Sequence, residues 1–293
     1  MSPIIVLGAL AFSPSPLHRT VVAHHRRATA IHATDSDRCG LLVVGLAGNN
    51  GVTLLAGQIA NKNGLAWESA REPMVANLLG CITQVGSLSE MFSFAPFDDV
   101  AVGGWDVRPT PLGDALYESR ILDYDLVRQV RGDMDEMAVM PGVWDADFYG
   151  ESQREGATQI VEDVTRSAQL ERLREDIRRF KEENEVGGHT TVVWSASVER
   201  PLEEYATADE LLGAIDADDR EVSPSLLYAA AAVLEGCSFV NGGSQNTVQP
   251  CLLELASRAT PSVYVLGTDF KAGQTKVLLE GLESAWRLPG SFG

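Results

Sequence analysis

The chain has 293 residues, 45% of them hydrophobic, and its 41 acidic against 23 basic side chains give a formal charge of -18. That length buries a sizeable core without disulfides or structural metal. The acidity disfavours nucleic acid or an anionic membrane as partner, since both require a clustered cationic surface.

Residues 1–34 contain no Asp or Glu but carry Arg19, Arg26, Arg27 and four of the five histidines. An acid-free leader of this kind fits an organellar targeting sequence, or a plain extension, over residues 1–38. It points to a plastid or to the cytoplasm. No later run is long and apolar enough to span a bilayer. Cys39, Cys81, Cys237 and Cys251 form no C-x-x-C pair, and no histidine stands at ligand spacing from them. They read as buried or free thiols, and no metal site is expected.

From Cys39 the pattern becomes α/β. "CGLLVVG" is a buried strand ending in glycine, and Asn50 to Asn61 has a helical pattern. "FDDVAVGGWDV" reads as a second strand ending near Gly103-Gly104. In "SAQLERLREDIRRFKEEN", Leu170, Leu173, Ile177 and Phe180 recur three and four apart, as on a helix covering a sheet. "TTVVWS" is another buried strand. In "EVSPSLLYAAAAVLEG", Ser223 is a fitting N-cap, Pro224 a first helical residue and Gly236 a stop. "CSFVNGG" and "SVYVLGTDF" supply two further strands. Alternation of strand and helix predicts a doubly wound, mostly parallel Rossmann-like domain.

Ligands in such sheets bind at the carboxyl ends of strands. Those ends are Gly45–Gly51, Gly103–Asp106, Ser195–Ser197, Asn241–Asn246 and Gly267–Lys271. Small residues there let a dinucleotide approach the backbone, and amides at a helix start receive its pyrophosphate. The turn "GLAGNNG" lacks the second glycine of G-x-G, and by itself it equally fits tight strand-helix packing. No acid about twenty positions on stands clearly at a strand end, so Asp106, at the end of the next strand, is the better candidate for holding the ribose.

Taken in order, the motifs resemble one family, the inositol-3-phosphate synthases. They are "LLVVGLAGNNGVTLLAGQIANK", "ITQ", "GGWDV", "LDYDL", "PGVWDADF", "VVWSASVER", "VSPSLLYA", "VNGGSQNTVQP" and "GTDFKAGQTK". The likeness is colinear over about residues 40–276, and it implies an NAD-binding domain over 39–276 with a divergent tail over 277–293. The family converts glucose 6-phosphate to myo-inositol 3-phosphate, for inositol and phospholipid synthesis. It does so by oxidation, intramolecular aldol closure and reduction, with NAD regenerated within the cycle.

The same resemblance assigns the cofactor loop to Ala47, Gly48, Asn49 and Asn50, and the adenosine ribose to Asp106. Gly142, Val143 and Gln153 would line the cofactor. So would Ser195, Ala196, Ser197, Val198, Gly242, Gly243, Asp269 and Ala272. Ala47 would add a methyl where backbone and pyrophosphate meet. Ser197, Val198, Gly243 and Ala272 would each remove polar contact, at roughly 0.5–1.5 kcal/mol per hydrogen bond lost.

Beyond Lys276 the family continues into a domain bearing its catalytic lysines and tetramer contacts, which residues 277–293 resemble only faintly. Of Lys62, Lys181, Lys271 and Lys276, Lys271 is the weak catalytic candidate, and Lys62 and Lys181 read as surface. The resemblance implies that the chain stops before the catalytic half. It would then act on glucose 6-phosphate only when completed, or serve as a non-catalytic NAD-binding or regulatory partner in an oligomer with full-length synthase. An ordinary dehydrogenase fits less well, because no substrate domain or His-Asp base is evident.

A sheet lacking the family's returning segment exposes apolar surface, so the isolated chain is expected to aggregate. Size-exclusion chromatography with thermal melting checks this, and a monodisperse monomer with a sharp two-state melt contradicts it.

Overall fold

The computed structural model describes residues 38–78 and 94–269. The leader, "ITQ", Cys81, Lys271, Ala272, Lys276 and the tail lie outside the described residues.

The elements follow the chain as β1 (Gly40–Val44), α1 (Asn49–Lys62), a hairpin of β2 (Ala66–Glu68) and β3 (Pro73–Val75), then β4 (Ala101–Asp106). Next come α2 (Leu112–Ser119), α3 (Tyr124–Asp135), β5 (Met140–Pro141), α4 (Arg166–Glu183) and β6 (Thr190–Trp194). The described part ends with α5 (Ala208–Asp216), α6 (Pro224–Leu234), β7 (Ser238–Asn241), α7 (Pro250–Arg258) and β8 (Val265–Leu266). Six strands form one sheet in the order β5-β4-β1-β6-β7-β8, with every pairing parallel. Apart from the hairpin, this is the 3-2-1-4-5-6 order of the doubly wound dinucleotide-binding fold.

The sheet is covered on both faces. Leu42, Val44, Trp105, Val192, Trp194 and Phe239 share a core with Leu173, Ile177 and Phe180 of α4 and with the apolar length of α6. Leu41 and Val43 alternate to the opposite face and are equally buried. The near-continuous apolar strands of the sequence follow from this double cover.

The second strand does not end at Gly103-Gly104 as expected, but runs on to Asp106. The glycines serve the strand interior. A Cβ on Gly103 would lie 2.9 Å from the Phe180 ring, and one on Gly40 of the neighbouring strand 3.0 Å from it. Two missing side chains on adjacent strands thus make the seat for one α4 aromatic.

Capping follows the expected chemistry at α6, where the Ser223 hydroxyl accepts from the Leu226 amide and Pro224 opens the helix. At α5, Thr207 and Glu210 form a capping box. Trp105 Nε1 donates to Asp176 Oδ2 at 3.0 Å, tying β4 to α4 inside the core.

Removing the Phe180 ring empties the seat over Gly40 and Gly103. Phe180→Ala is expected to cost about 3–5 kcal/mol in urea unfolding, and a loss under 1 kcal/mol would contradict that packing.

Candidate functional site

The turn after β1 is bound to the end of β4. The Gly45 and Leu46 amides both donate to the Trp105 carbonyl, at 2.8 and 3.0 Å. The Ala47 amide donates to Asp106 Oδ2 at 2.9 Å. Gly45 has φ +87, and a Cβ there would stand 2.9 Å from the Ala196 backbone. A Cβ on Gly51 would lie only 2.2 Å from the Leu46 carbonyl oxygen, so the loop closes onto α1 only with glycine.

This geometry aims the start of α1 into a cleft of about 610 Å³ at the carboxyl ends of β1, β4 and β6. The N-cap is Gly48, no side chain caps the helix, and its first turn holds no acid. The unpaired amides and positive dipole end of a 14-residue helix therefore face open space, as anion binding requires. The volume suits a cofactor-sized ligand. The residues present fit a dinucleotide.

The far walls come from more distant segments. Tyr228 on α6 is buried, its hydroxyl accepting from the Val143 amide at 3.0 Å. Its ring meets Trp105 and Trp194 edge-on, at 5.1 and 5.8 Å. Burial drives its phenol well above the usual tyrosine range, so it stays neutral. Trp144 and Tyr149 stack with centroids 4.4 Å apart. Tyr149 donates to Glu199 Oε1, which also takes the Ser225 amide at 2.9 Å, while Glu199 Oε2 takes the Ser225 hydroxyl at 2.6 Å. Burial pushes the Glu199 carboxyl up despite these donors.

Of the residues assigned from sequence, Gly48, Asn49, Asn50, Asp106, Gly142, Val143 and Gln153 line this cleft, together with Ser195, Ala196 and Ser197. Asn50 Nδ2 donates to Ser195 Oγ at 3.2 Å, bridging the first helix to the end of β6. Ala47 does not line the cleft. It is 2% exposed, so its methyl does not stand between backbone and ligand, and its amide is already taken by Asp106.

Val198 is exposed outside the lining, Gly242 and Gly243 belong to the loop after β7, and Asp269 follows β8, and none of them lines the cleft. There the Gly243 amide donates to Asn241 Oδ1, and the Asp269 amide to the Gly243 carbonyl. A Cβ on Gly243 would meet Gln245 Oε1 at 2.1 Å, so the glycine makes room for a buried glutamine.

The sequence reading missed Arg108, Trp144, Tyr149 and Tyr228, which also line the cleft. For Trp144 the quoted motif "PGVWDADF" was a signal. Tyr228 lies in the quoted motif "VSPSLLYA", mid-helix in an apolar run.

Among the described residues no group of His, Cys, Asp and Glu could hold a metal. Cys39, Cys237 and Cys251 are buried, with burial pushing the Cys251 thiol up to about 11. No helix among the described residues is long and apolar enough to cross a membrane.

Two predictions follow from the loop and from Glu199. Gly51→Ala must displace the Leu46 carbonyl, so it should cost about 1–3 kcal/mol of stability. It should also weaken dinucleotide binding in calorimetry, and unchanged affinity would contradict the cradle. A carboxyl raised above its ordinary 4.5 favours the folded state most below that pH, and its contribution is lost as pH rises through the folded value. The stability of the native chain relative to Glu199→Gln should therefore fall as pH rises above about 4.5, as read by urea unfolding at several pH values. A flat difference would contradict it.

The chain matches the family model described as myo-inositol-1-phosphate synthase, with an NAD-binding designation, over residues 39–279. It is 38% identical over 295 residues to inositol-3-phosphate synthase 1 of Oryza sativa subsp. japonica, covering 94% of this chain and 56% of the relative. Identity to isozyme 1 of Arabidopsis thaliana is 40% over 276 residues, covering 87% and 53%. The crystal structure of inositol-3-phosphate synthase from Caenorhabditis elegans superposes with TM-score 0.80 at 32% identity, covering 85% of this chain and 53% of that one. A related protein from Thermotoga maritima, at 20% identity and TM-score 0.57, shares the fold. The chain thus spans about half the length of the relatives it matches. With its fold, its glycine turn and its colinear motifs, it belongs to the inositol-3-phosphate synthase family, whose cofactor is NAD.

Proposed function

We propose that this chain is the NAD-binding part of an enzyme that converts D-glucose 6-phosphate to 1D-myo-inositol 3-phosphate. The observation that carries the reading is the uncapped N-terminus of α1, opening into a cleft at the ends of β1, β4 and β6. Bound NAD supplies the hydride acceptor and donor of such a cycle. The chain's own residues do the holding. The amides of Asn49, Asn50 and Gly51 face the pyrophosphate, and Gly142 and Val143 give close backbone approach. Asn50 and Ser195 fix the two cleft walls against each other. The neutral Tyr228 hydroxyl keeps the Val143 amide, just beyond β5, in place. Val198, Gly242, Gly243 and Asp269 do not line the cleft, and their cofactor contacts are assigned by resemblance. Lys271 and Ala272 stay assigned by resemblance.

A second reading is a chain that binds NAD without catalysis, as a regulatory partner of full-length synthase. It is favoured by the cation inventory. Among the described residues Lys62 ends α1, and Lys181 donates to the Glu235 carbonyl at 2.8 Å. Neither lines the cleft, where Arg108 is the sole cation. A lysine to stabilise a sugar alkoxide must then come from other segments or another chain.

Calorimetry with NAD tests the shared core of both readings, and an absence of binding at millimolar NAD overturns it. Assay of inositol phosphate from glucose 6-phosphate separates them. Turnover by this chain alone excludes the second reading. Turnover that appears only on mixing with full-length synthase inactivated in its own cofactor loop supports completion in trans.

A further inference from the structure

Adjacent strand ends bring an acid and an aromatic pair to one side of the cleft. Asp106 closes β4, and its carbonyl accepts from the Gly142 amide at 3.2 Å, so the segment after β5 runs beside it. Two residues on, Trp144 lines the cleft together with Asp106, Gly142 and Tyr149. The Trp144 and Tyr149 rings stack with centroids 4.4 Å apart and planes 7° from parallel. Tyr149 is itself anchored, because its hydroxyl donates at 3.2 Å to the buried Glu199 carboxyl, which the Ser225 amide and hydroxyl hold from the other side. The other described tryptophans are engaged elsewhere. Trp105 and Trp194 are part of the core, and Trp67 donates its N–H to Asp123. Trp144 is half-buried and stands outside the core that Tyr149 packs against. Apart from Tyr149, no ring and no cation among the described residues is seated on it.

We propose that Trp144, backed by Tyr149, is the platform on which the adenine of the bound cofactor stacks. With the ribose at Asp106, the base attached to it reaches the next strand end, where the indole stands. Hydrogen bonds from the backbone cannot easily hold the base there. The Gly142 amide is shared between the Asp106 and Gln159 carbonyls, and the Val143 amide is given to Tyr228. Stacking asks for no such partner, since every base offers a π-face. The indole is also pre-positioned by Tyr149 and, through it, by Glu199, so little side-chain freedom is lost on binding.

The inference rests on the reading of the cleft as a dinucleotide site, and binding rather than turnover tests it. NAD and ADP-ribose, which keeps the adenine and lacks the nicotinamide, are titrated calorimetrically into the native 293-residue chain, Trp144→Phe and Trp144→Ala. Trp144→Ala should lose roughly 10- to 100-fold for both ligands, and Trp144→Phe less than roughly fivefold. The etheno-adenine analogue of NAD adds a spectroscopic signature. Contact with an indole quenches its emission, so at saturation it should be dimmer on the native chain than on Trp144→Phe. Unchanged NAD affinity in Trp144→Ala overturns the proposal. So does a loss for NAD that spares ADP-ribose, which would put the indole against the nicotinamide. Equal emission from the native chain and Trp144→Phe also overturns it, making Trp144 a prop for the loop only. Binding of neither ligand by the native chain overturns the dinucleotide reading itself, and the platform with it.

Discussion

The site depends on the attachment of the first turn to the neighbouring strand. Three consecutive amides, of Gly45, Leu46 and Ala47, are spent on the carbonyl of Trp105 and the carboxylate of Asp106. Those bonds leave the next amides, at the start of α1, to face the cleft. A buried acid beneath a loop of donors is stable because each oxygen is matched, and charged acceptors strengthen such bonds. The same carboxylate therefore shapes the loop while lining the cleft.

The opposite wall depends on a second buried acid. Glu199 collects donors from Ser225 and Tyr149, and so joins the segment after β6, the start of α6 and the aromatic stack at Trp144. Arg200 extends the connection by lying over Phe148 at 4.4 Å and pairing with Glu221. Loop, strand end and helix start are thus coupled through short polar links in an otherwise apolar core. A carboxyl so placed forfeits solvation, and the donors around it return part of the loss.

The family relation covers almost all the described residues and about half of each relative. Among the described residues the cleft is lined by backbone, small residues and aromatics, with Arg108 as its one cation.

The parallel strands, α4 and the Ser223-Pro224 helix start were legible in the sequence because apolar periodicity and capping are local properties. So were most lining residues near strand ends, since the carboxyl edge of a doubly wound sheet is a topological certainty. The extent of β4 was not, because glycine weakens a strand locally and only the Phe180 ring explains its presence. The surroundings of Ala47 and Gly243 were not legible for the same reason. Whether a methyl intrudes or a missing side chain matters depends on which atoms lie across from it, and those are Asp106 and Gln245. α2, α3, α5 and α7, with the β2-β3 hairpin, were not read as elements, their patterns being short and mixed. Sequence by itself determined the layered architecture, the family and the segments that reach the cleft. Only tertiary structure decided which side chains enter it, because burial and hydrogen-bond pairing are settled between residues 59 or 85 positions apart.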